Sequence, residues 1–252
     1  MDKLIREEII EKYISATSRL VLLDYDGTLV NYTPLPDTAK LSEHIFDILI
    51  KLIGTSQTEV FIITGRGYRD IDIILDHLPI NIIAEHGAMI REGEIWKNQI
   101  NDNGFWKKTI FPILNQITSV CPKSFVEEKS YSLAWHYRNV ELQSGFTYSR
   151  ELISVLERTV HPLNLKILDG NKVVEIMNRE VGKGNAVKKL FEQKNYDFIL
   201  SMGDDTTDEE MFEYLLPVSK AFTIKVGNGD TFAKYKLPGI NNVISLLKQL
   251  PS

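Results

Sequence analysis

Two carboxylates stand two residues apart in Asp24-Tyr25-Asp26-Gly27-Thr28-Leu29, directly after the apolar run Arg19-Leu20-Val21-Leu22-Leu23. On a tight turn such a pair can face one ligand. At about 4 Å and an effective dielectric near 20 the two charges repel by about 4 kcal/mol, so the arrangement needs a cation, a proton, or both. Asp and Gly also favour turns by their own chemistry, and an acidic turn after a strand is the plain alternative. A second acidic run, Gly203-Asp204-Asp205-Thr206-Thr207-Asp208-Glu209, follows the apolar Phe198-Ile199-Leu200-Ser201. Thr206-x-x-Glu209 reads as a capping box, and Asp208 and Glu209 suit a helix N-terminus. That leaves Asp204 and Asp205 as oxygen donors of the kind Mg²⁺ prefers. Thr64-Gly65-Arg66-Gly67 offers a hydroxyl and a planar fork of donors. Lys183, in Gly182-Lys183-Gly184, opens a helical pattern with Ala186, Val187 and Leu190 on its apolar face. Taken singly, the first is also a common loop and the second a solvated surface cation.

The elements that must position these residues are short apolar runs alternating with amphipathic helices. Arg19–Leu23, Val60–Ile63, Asn81–Ala84, Phe198–Ser201 and Phe222–Val226 read as strands buried on both faces. Leu41–Ile53 carries one apolar stripe through Leu41, Ile45, Ile48, Leu49 and Leu52. Such alternation predicts an α/β fold, a Rossmann-like doubly wound parallel sheet, whose ligands bind outside the carboxyl ends of the strands. Asp24, Thr64 and Asp204 all fall at such ends.

The pattern changes between residues 98 and 178. There the chain reads as a helix (Trp106–Val120), strands at Ser124–Lys129 and Tyr131–Arg138, a helix (Tyr148–Val160), a strand at Leu165–Leu168, a turn at Asp169-Gly170-Asn171 and a strand at Lys172–Ile176. The expectation is a core of 1–97 and 179–252, with residues 1–19 as a helical extension, and an inserted α/β cap of 98–178. Charges at Glu127, Lys129 and Glu175 would stand on cap strands, solvated or facing a ligand. His136 is expected to pack or hydrogen-bond within that sheet.

A formal net charge of −5 argues against a general nucleic-acid partner. Cys121 is the only cysteine, which excludes a disulfide framework and zinc held by several cysteines. No run approaches the roughly 20 apolar residues of a membrane span, and the charged N-terminus lacks the apolar stretch of a signal peptide. The chain is expected to be cytoplasmic, monomeric and free of membrane contact.

Asp-x-Asp-Gly-Thr-Leu after an apolar strand resembles the first motif of the haloacid dehalogenase superfamily of phosphatases. Thr64, Lys183 and Asp204 match the later motifs in order. The resemblance implies that Asp24 attacks phosphorus and that Asp26 protonates the leaving group and then activates water. It further implies that Thr64 binds the transferring phosphoryl group and that Lys183 neutralises charge and holds Asp24. Mg²⁺ would be held by Asp24, the main-chain carbonyl of Asp26, and Asp204, with help from Asp205 or Asp208 left open. A nucleophilic carboxylate divides a hard displacement into two easier steps, and a positioned acid aids a poor alkoxide leaving group.

Gly203-Asp204-Asp205-x-Thr207-Asp208-Glu209, Glu127-x-Lys129, Ala134-Trp135-His136-Tyr137-Arg138, Val173-Val174-Glu175-Ile176, Glu85-His86-Gly87-Ala88 and Ile224-Lys225-Val226-Gly227 are similar to trehalose-6-phosphate phosphatases. That resemblance runs from Leu20 to Leu250. It implies a sugar-phosphate substrate, with Arg66 on the phosphate and Glu127, Lys129 and Glu175 on the distal glucose. Phosphatases of sucrose phosphate or glycosyl-phosphoglycerate, a phosphomannomutase-like isomerase, and an inactive partner of a trehalose-phosphate synthase are the alternatives. Core and cap fill the chain, so a synthase is expected as a separate, functionally coupled protein.

Overall fold

The computed structural model describes residues 1–33, 38–75 and 78–251. The chain divides into two compact units, Met1–Gln99 with Gly182–Ser252, and Ile100–Val181.

The first unit is built on an eight-stranded sheet. Its strands are β1 (Arg19–Leu23), β2 (Thr58–Ile63), β3 (Asn81–Ala84), β4 (Met89–Glu92), β5 (Ile95–Asn98), β10 (Phe198–Gly203), β11 (Ala221–Val226) and β12 (Tyr235–Leu237), in the order β12-β11-β10-β1-β2-β3-β4-β5. All neighbours from β12 to β3 are parallel, and β4 and β5 add an antiparallel edge. From β1 the chain builds outward through β2 and β3, and later builds the other way through β10, β11 and β12. The order therefore reverses at β1 and β10, the crevice where open α/β sheets bind ligands.

Leu20, Leu22, Phe61 and Ile63 face Ala186, Val187 and Leu190 of α6 (Lys183–Gln193) and Met211, Phe212 and Leu215 of α7 (Thr206–Leu215). Helix α2 (Glu43–Gly54) packs on β2 and buries Ile45, Ile48, Leu49 and Leu52, the stripe expected of it. The first residues form α1 (Lys3–Ser15), which buries Ile9 and Tyr13; the Tyr13 ring meets Phe198 edge-on at 5.4 Å, and the short α3 (Tyr68–Ile74) after β2 buries Ile71.

Strands β4, β5 and β12 escape the sequence reading. The β5 side chains are mostly exposed and β12 has three residues, so neither carries an apolar run.

The second unit contains α4 (Lys107–Val120), β6 (Phe125–Glu128), β7 (Ser132–His136), α5 (Leu142–Val160), β8 (Leu165–Gly170) and β9 (Val173–Asn178). Its strands form an antiparallel sheet in the order β6-β7-β9-β8. Leu133, Trp135, Val174 and Ile176 pack with Ile110, Leu114, Leu152 and Leu156, so both helices cover the same face. Two local expectations are corrected. Helix α5 begins at Leu142, not Tyr148, because the Glu141 carboxylate caps the N–H groups of Gln143 and Ser144. Gly145 is no helix breaker there: a Cβ on it would stand 2.9 Å from the Tyr137 ring. The turn between β8 and β9 is Asn171-Lys172, with Lys172 at φ 66, and Asp169 and Gly170 remain in β8.

Candidate active site

Asp24 follows β1 and donates its N–H to Met202 O of β10 at 3.0 Å, which fixes it at the reversal point of the sheet. Its Oδ1 accepts from Lys183 Nζ at 2.7 Å, while Oδ2 is buried without a hydrogen-bond partner. Lys183, the first residue of α6, is 2% exposed and also donates to Asp208 Oδ1 at 2.6 Å. Burial pushes the Asp24 carboxyl well above its ordinary range; Asp208 and Asp204 push the same way, and Lys183 opposes them. Burial works against the Lys183 ammonium, but Asp208 and Asp24 outweigh it and hold its pKa above the usual value.

At Asp208 the structure corrects the capping box read from the sequence. This residue sits at the third position of α7, is fully buried, and its Oδ2 accepts the Asp205 N–H at 2.9 Å. Asp205 is the N-cap, and its Oδ1 accepts from Thr206 N–H at 2.7 Å. The reciprocal cap is therefore Asp205 with Asp208, not Thr206 with Glu209. Aspartate is short enough to satisfy the cap with one oxygen and reach Lys183 with the other. Glu209 instead accepts from Lys225, from Thr231 Oγ1 and from Phe232 N–H, and so fastens the segment after β11 to α7.

Asp204 follows β10. Its Oδ1 accepts from Thr28 Oγ1 at 3.4 Å and its Oδ2 from Tyr32 OH at 3.1 Å. Burial pushes its carboxyl up to about 6, and Asp208 and Asp205 add to the shift. Gly27 lets it approach: at φ +88 the glycine is left-handed, and a Cβ there would stand 2.1 Å from Asp204 Oδ2.

Asp24, Asp204 and Asp208 each present one oxygen within 4.8 Å of the others. At that separation each pair repels by about 3.5 kcal/mol at an effective dielectric near 20. Lys183 neutralises one charge of three, and the remaining −2 matches a divalent cation. Asp208 holds Lys183 and the Asp205 N–H at 2.6 and 2.9 Å, tighter than the 3.4 and 3.1 Å bonds that Asp204 accepts. The buried, unpartnered Asp24 Oδ2 and the Asp204 carboxylate are the donors that fit such an ion.

Asp26 and Arg66 form a fork-to-fork pair: Arg66 Nε donates to Asp26 Oδ2 at 2.6 Å and Nη2 to Oδ1 at 2.7 Å. The guanidinium also lies over the Tyr25 ring, 5.5 Å from its centroid. Arg66, expected on phosphate, thus has a partner of its own. Thr64 directly follows β2, is 1% exposed, and its Oγ1 accepts the Arg66 N–H at 3.2 Å. His86, at φ 55, presses on Gly65, where a Cβ would lie 2.4 Å from its ring. In the first unit the structure therefore gathers Asp24, Lys183 and Asp204, and pairs Asp26 with Arg66 beside Thr64.

In the second unit Lys129 Nζ donates to Glu175 Oε1 at 2.9 Å, and Ser132 Oγ donates to the same oxygen at 2.5 Å. Glu127 Oε2 lies 2.7 Å from His136 Nε2. Trp135 and Tyr137 stack at 5.0 Å inside the helix-covered core of this unit. Lys107 donates to the main-chain oxygens of Lys129 and Ser130 and so braces the turn between β6 and β7. Nothing in the Lys107-Lys108 pair marks it for this part before the fold is known.

Comparison with known proteins supplies the context. The chain is 38% identical over 251 residues to the bifunctional trehalose-6-phosphate synthase/phosphatase of Thermoproteus tenax, covering 99% of this chain and 34% of that one. It is 31% identical over 234 residues to the trehalose-phosphatase of Saccharomyces cerevisiae, covering 83% and 26%. The chain thus spans about a third of the length of the curated relatives it matches. Among solved structures, the C-terminal domain of the Candida albicans trehalose-6-phosphate phosphatase superposes with a TM-score of 0.92 at 26% identity, over 97% of this chain and 96% of that one. The family model described as trehalose-phosphatase matches residues 22–240, a span that contains both acidic runs, Lys183 and the whole second unit. On these matches, and with Asp24, Lys183 and Asp204 gathered where the sheet reverses, the chain belongs to the trehalose-phosphatase family.

Proposed function

We propose that the chain is a Mg²⁺-dependent phosphatase that hydrolyses trehalose 6-phosphate to trehalose and inorganic phosphate through a phosphoryl group carried on Asp24. The observation that carries the reading is the Asp24 carboxylate itself: one oxygen is held by buried Lys183 and the other is buried with no hydrogen-bond partner. A nucleophile needs that asymmetry. Lys183 fixes its direction, and the unpartnered atom is left for phosphorus or a cation.

Asp24 attacks the phosphorus, the bond to the sugar oxygen breaks, and Asp26, which takes up a proton from solvent before the step, gives that proton to the leaving alkoxide. Asp26, now a carboxylate, takes a proton from water as that water attacks the phosphoryl group on Asp24, which releases phosphate and restores both residues. Thr64 donates its hydroxyl to a phosphoryl oxygen, and Lys183 offsets charge as negative oxygens gather. When bound, Mg²⁺ neutralises the phosphoryl oxygens, and Asp24, the main-chain carbonyl of Asp26, and Asp204 are the groups that would hold it. Asp208 and Asp205 serve the site by holding Lys183 and capping α7. Residues 98–178 act as the cap, where Glu127, Lys129 and Glu175 accept and donate to sugar hydroxyls. The protein acts as a cytoplasmic monomer with no nucleic-acid or membrane partner. Coupling to a trehalose-phosphate synthase is supported by a relative whose name joins both activities in one longer chain.

A panel of sugar phosphates, assayed for phosphate release with and without Mg²⁺, tests the reading. Turnover of trehalose 6-phosphate that requires Mg²⁺ and vanishes in Asp24→Asn is the expected result. Turnover of sucrose phosphate or a glycosyl-phosphoglycerate with trehalose 6-phosphate left intact would sink the substrate. Isomerisation without phosphate release would sink the reaction.

A further inference from the structure

In the antiparallel sheet of the second unit, Glu127 pairs with Ala134 and Ala134 with Glu175, so the three lie in one row across β6, β7 and β9. The alternate positions Val126, Leu133, Trp135, Val174 and Ile176 pack under α4 and α5. The row therefore occupies the face without helices. Glu175 is held from two sides, by Lys129 and by Ser132. Glu127 is held by His136, whose ring stacks on Phe125 at 4.8 Å and 17°.

The sequence makes this hold necessary. Residues 127 and 129 alternate onto the same face, so the Lys129 ammonium attracts Glu127 as well as Glu175. Burial alone would push the Glu127 carboxyl up; the His136 hydrogen bond and Lys129 outweigh it and leave it below the ordinary range. Glu127 is one-third exposed, and a three-carbon side chain that far in solvent is not fixed by packing. Without a second anchor it can swing to Lys129, and the row then collapses into one compact ion cluster with few acceptors left for a ligand. The methyl of Ala134 between the two glutamates is too small to block that movement.

We infer that His136 is a positioning residue for sugar specificity. Its Nε2–H donates to Glu127 Oε2 and keeps Glu127 apart from Lys129, so that Oε1 is presented to a hydroxyl of the sugar. Phe125 keeps the imidazole upright by stacking on its face. The inference rests on the proposed sugar-phosphate activity but is judged separately from it. His136 touches no reacting atom, so its effect passes through Glu127.

The test uses the full chain and whichever sugar phosphate the wild type turns over, so the panel judges the substrate and the variants judge His136. His136→Phe keeps a ring to stack on Phe125 and removes the donor; His136→Gln returns an N–H. Loss of a hydrogen bond to a charged group predicts that His136→Phe raises KM by about tenfold. That rise should exceed the fall in kcat, and His136→Gln should restore most of it. In a Glu127→Ala background His136→Phe should add no further rise. An unchanged KM, or the same tenfold rise when Glu127 is already absent, overturns the inference. So does an equal loss on p-nitrophenyl phosphate and on the sugar phosphate, with no rescue by glutamine.

Discussion

Arg66 grips Asp26 with two parallel hydrogen bonds, of 2.6 and 2.7 Å, while its guanidinium rests over Tyr25. A guanidinium matches a carboxylate in this planar way and an ammonium does not. The pair sets the plane of the Asp26 carboxylate, and Thr64 Oγ1 ties the Arg66 backbone to the end of β2. Arg66→Lys is expected to lower kcat on a sugar phosphate by about tenfold, a part of the 10²–10⁴ that a general acid supplies. An aryl ester with a good leaving group should suffer less, because its oxide needs no proton. Comparing the two esters checks the assignment; equal losses would show that Arg66 serves phosphate and not Asp26.

Lys183 is enclosed by Asp24 and Asp208. Removing the cation leaves two carboxylates buried together, and breaking a buried ion pair from one side costs about 3–5 kcal/mol. Lys183→Met should lose at least about 3 kcal/mol in a urea unfolding curve as well as its activity. Asp208→Asn keeps an acceptor for Asp205 N–H and one carboxylate on Lys183, so it should lose less. A Lys183→Met variant as stable as wild type would refute the enclosed-cation account.

Gly27 combines a left-handed backbone with a position where a Cβ would overlap the Asp204 carboxylate. Gly27→Ala asks for a disfavoured φ, worth about 1–2 kcal/mol, and displaces a carboxylate expected to hold the cation. Weaker Mg²⁺ activation should accompany the lost stability. Mg²⁺ titrations of activity decide it; an unshifted midpoint would separate Gly27 from the cation site.

Burial raises the carboxyl of Asp24 and lifts that of Asp204 to about 6. An acid with a higher pKa folded than unfolded holds its proton more tightly in the folded state. The cation-free protein therefore keeps the Asp204 contribution in full below about pH 4 and loses it as pH climbs through about 6. A divalent cation competes with those protons. Mg²⁺ added to chelator-treated protein should accordingly raise Tm more near pH 7.5 than near pH 5. Equal increments at the two pH values would place the cation elsewhere.

The local sequence was sufficient for the strands that lead into Asp24, Thr64 and Asp204. Each is a short apolar run buried on both faces, and burial on both faces leaves few choices of residue. It also marked Lys183 as the start of a helix and α/β as the fold. Strands β4 and β5 were not legible, because β5 is a mostly exposed edge and β4 buries only Met89 and Ile90 of its four residues, too short an apolar run to read. Pairings across distance were not legible either. Asp208 and Lys183 lie 25 residues apart and meet because α6 and α7 pack side by side, while Arg66 and Asp26 lie 40 apart and meet because the parallel strands β2 and β1 bring their carboxyl ends together. The sequence by itself singled out the candidate groups: two carboxylates, a hydroxyl, a lysine and a third acid in a fixed order. Only the tertiary structure decided what each is tied to. A carboxylate's hydrogen-bond partner is set by distances of about 3 Å across elements, and no periodicity along the chain encodes that.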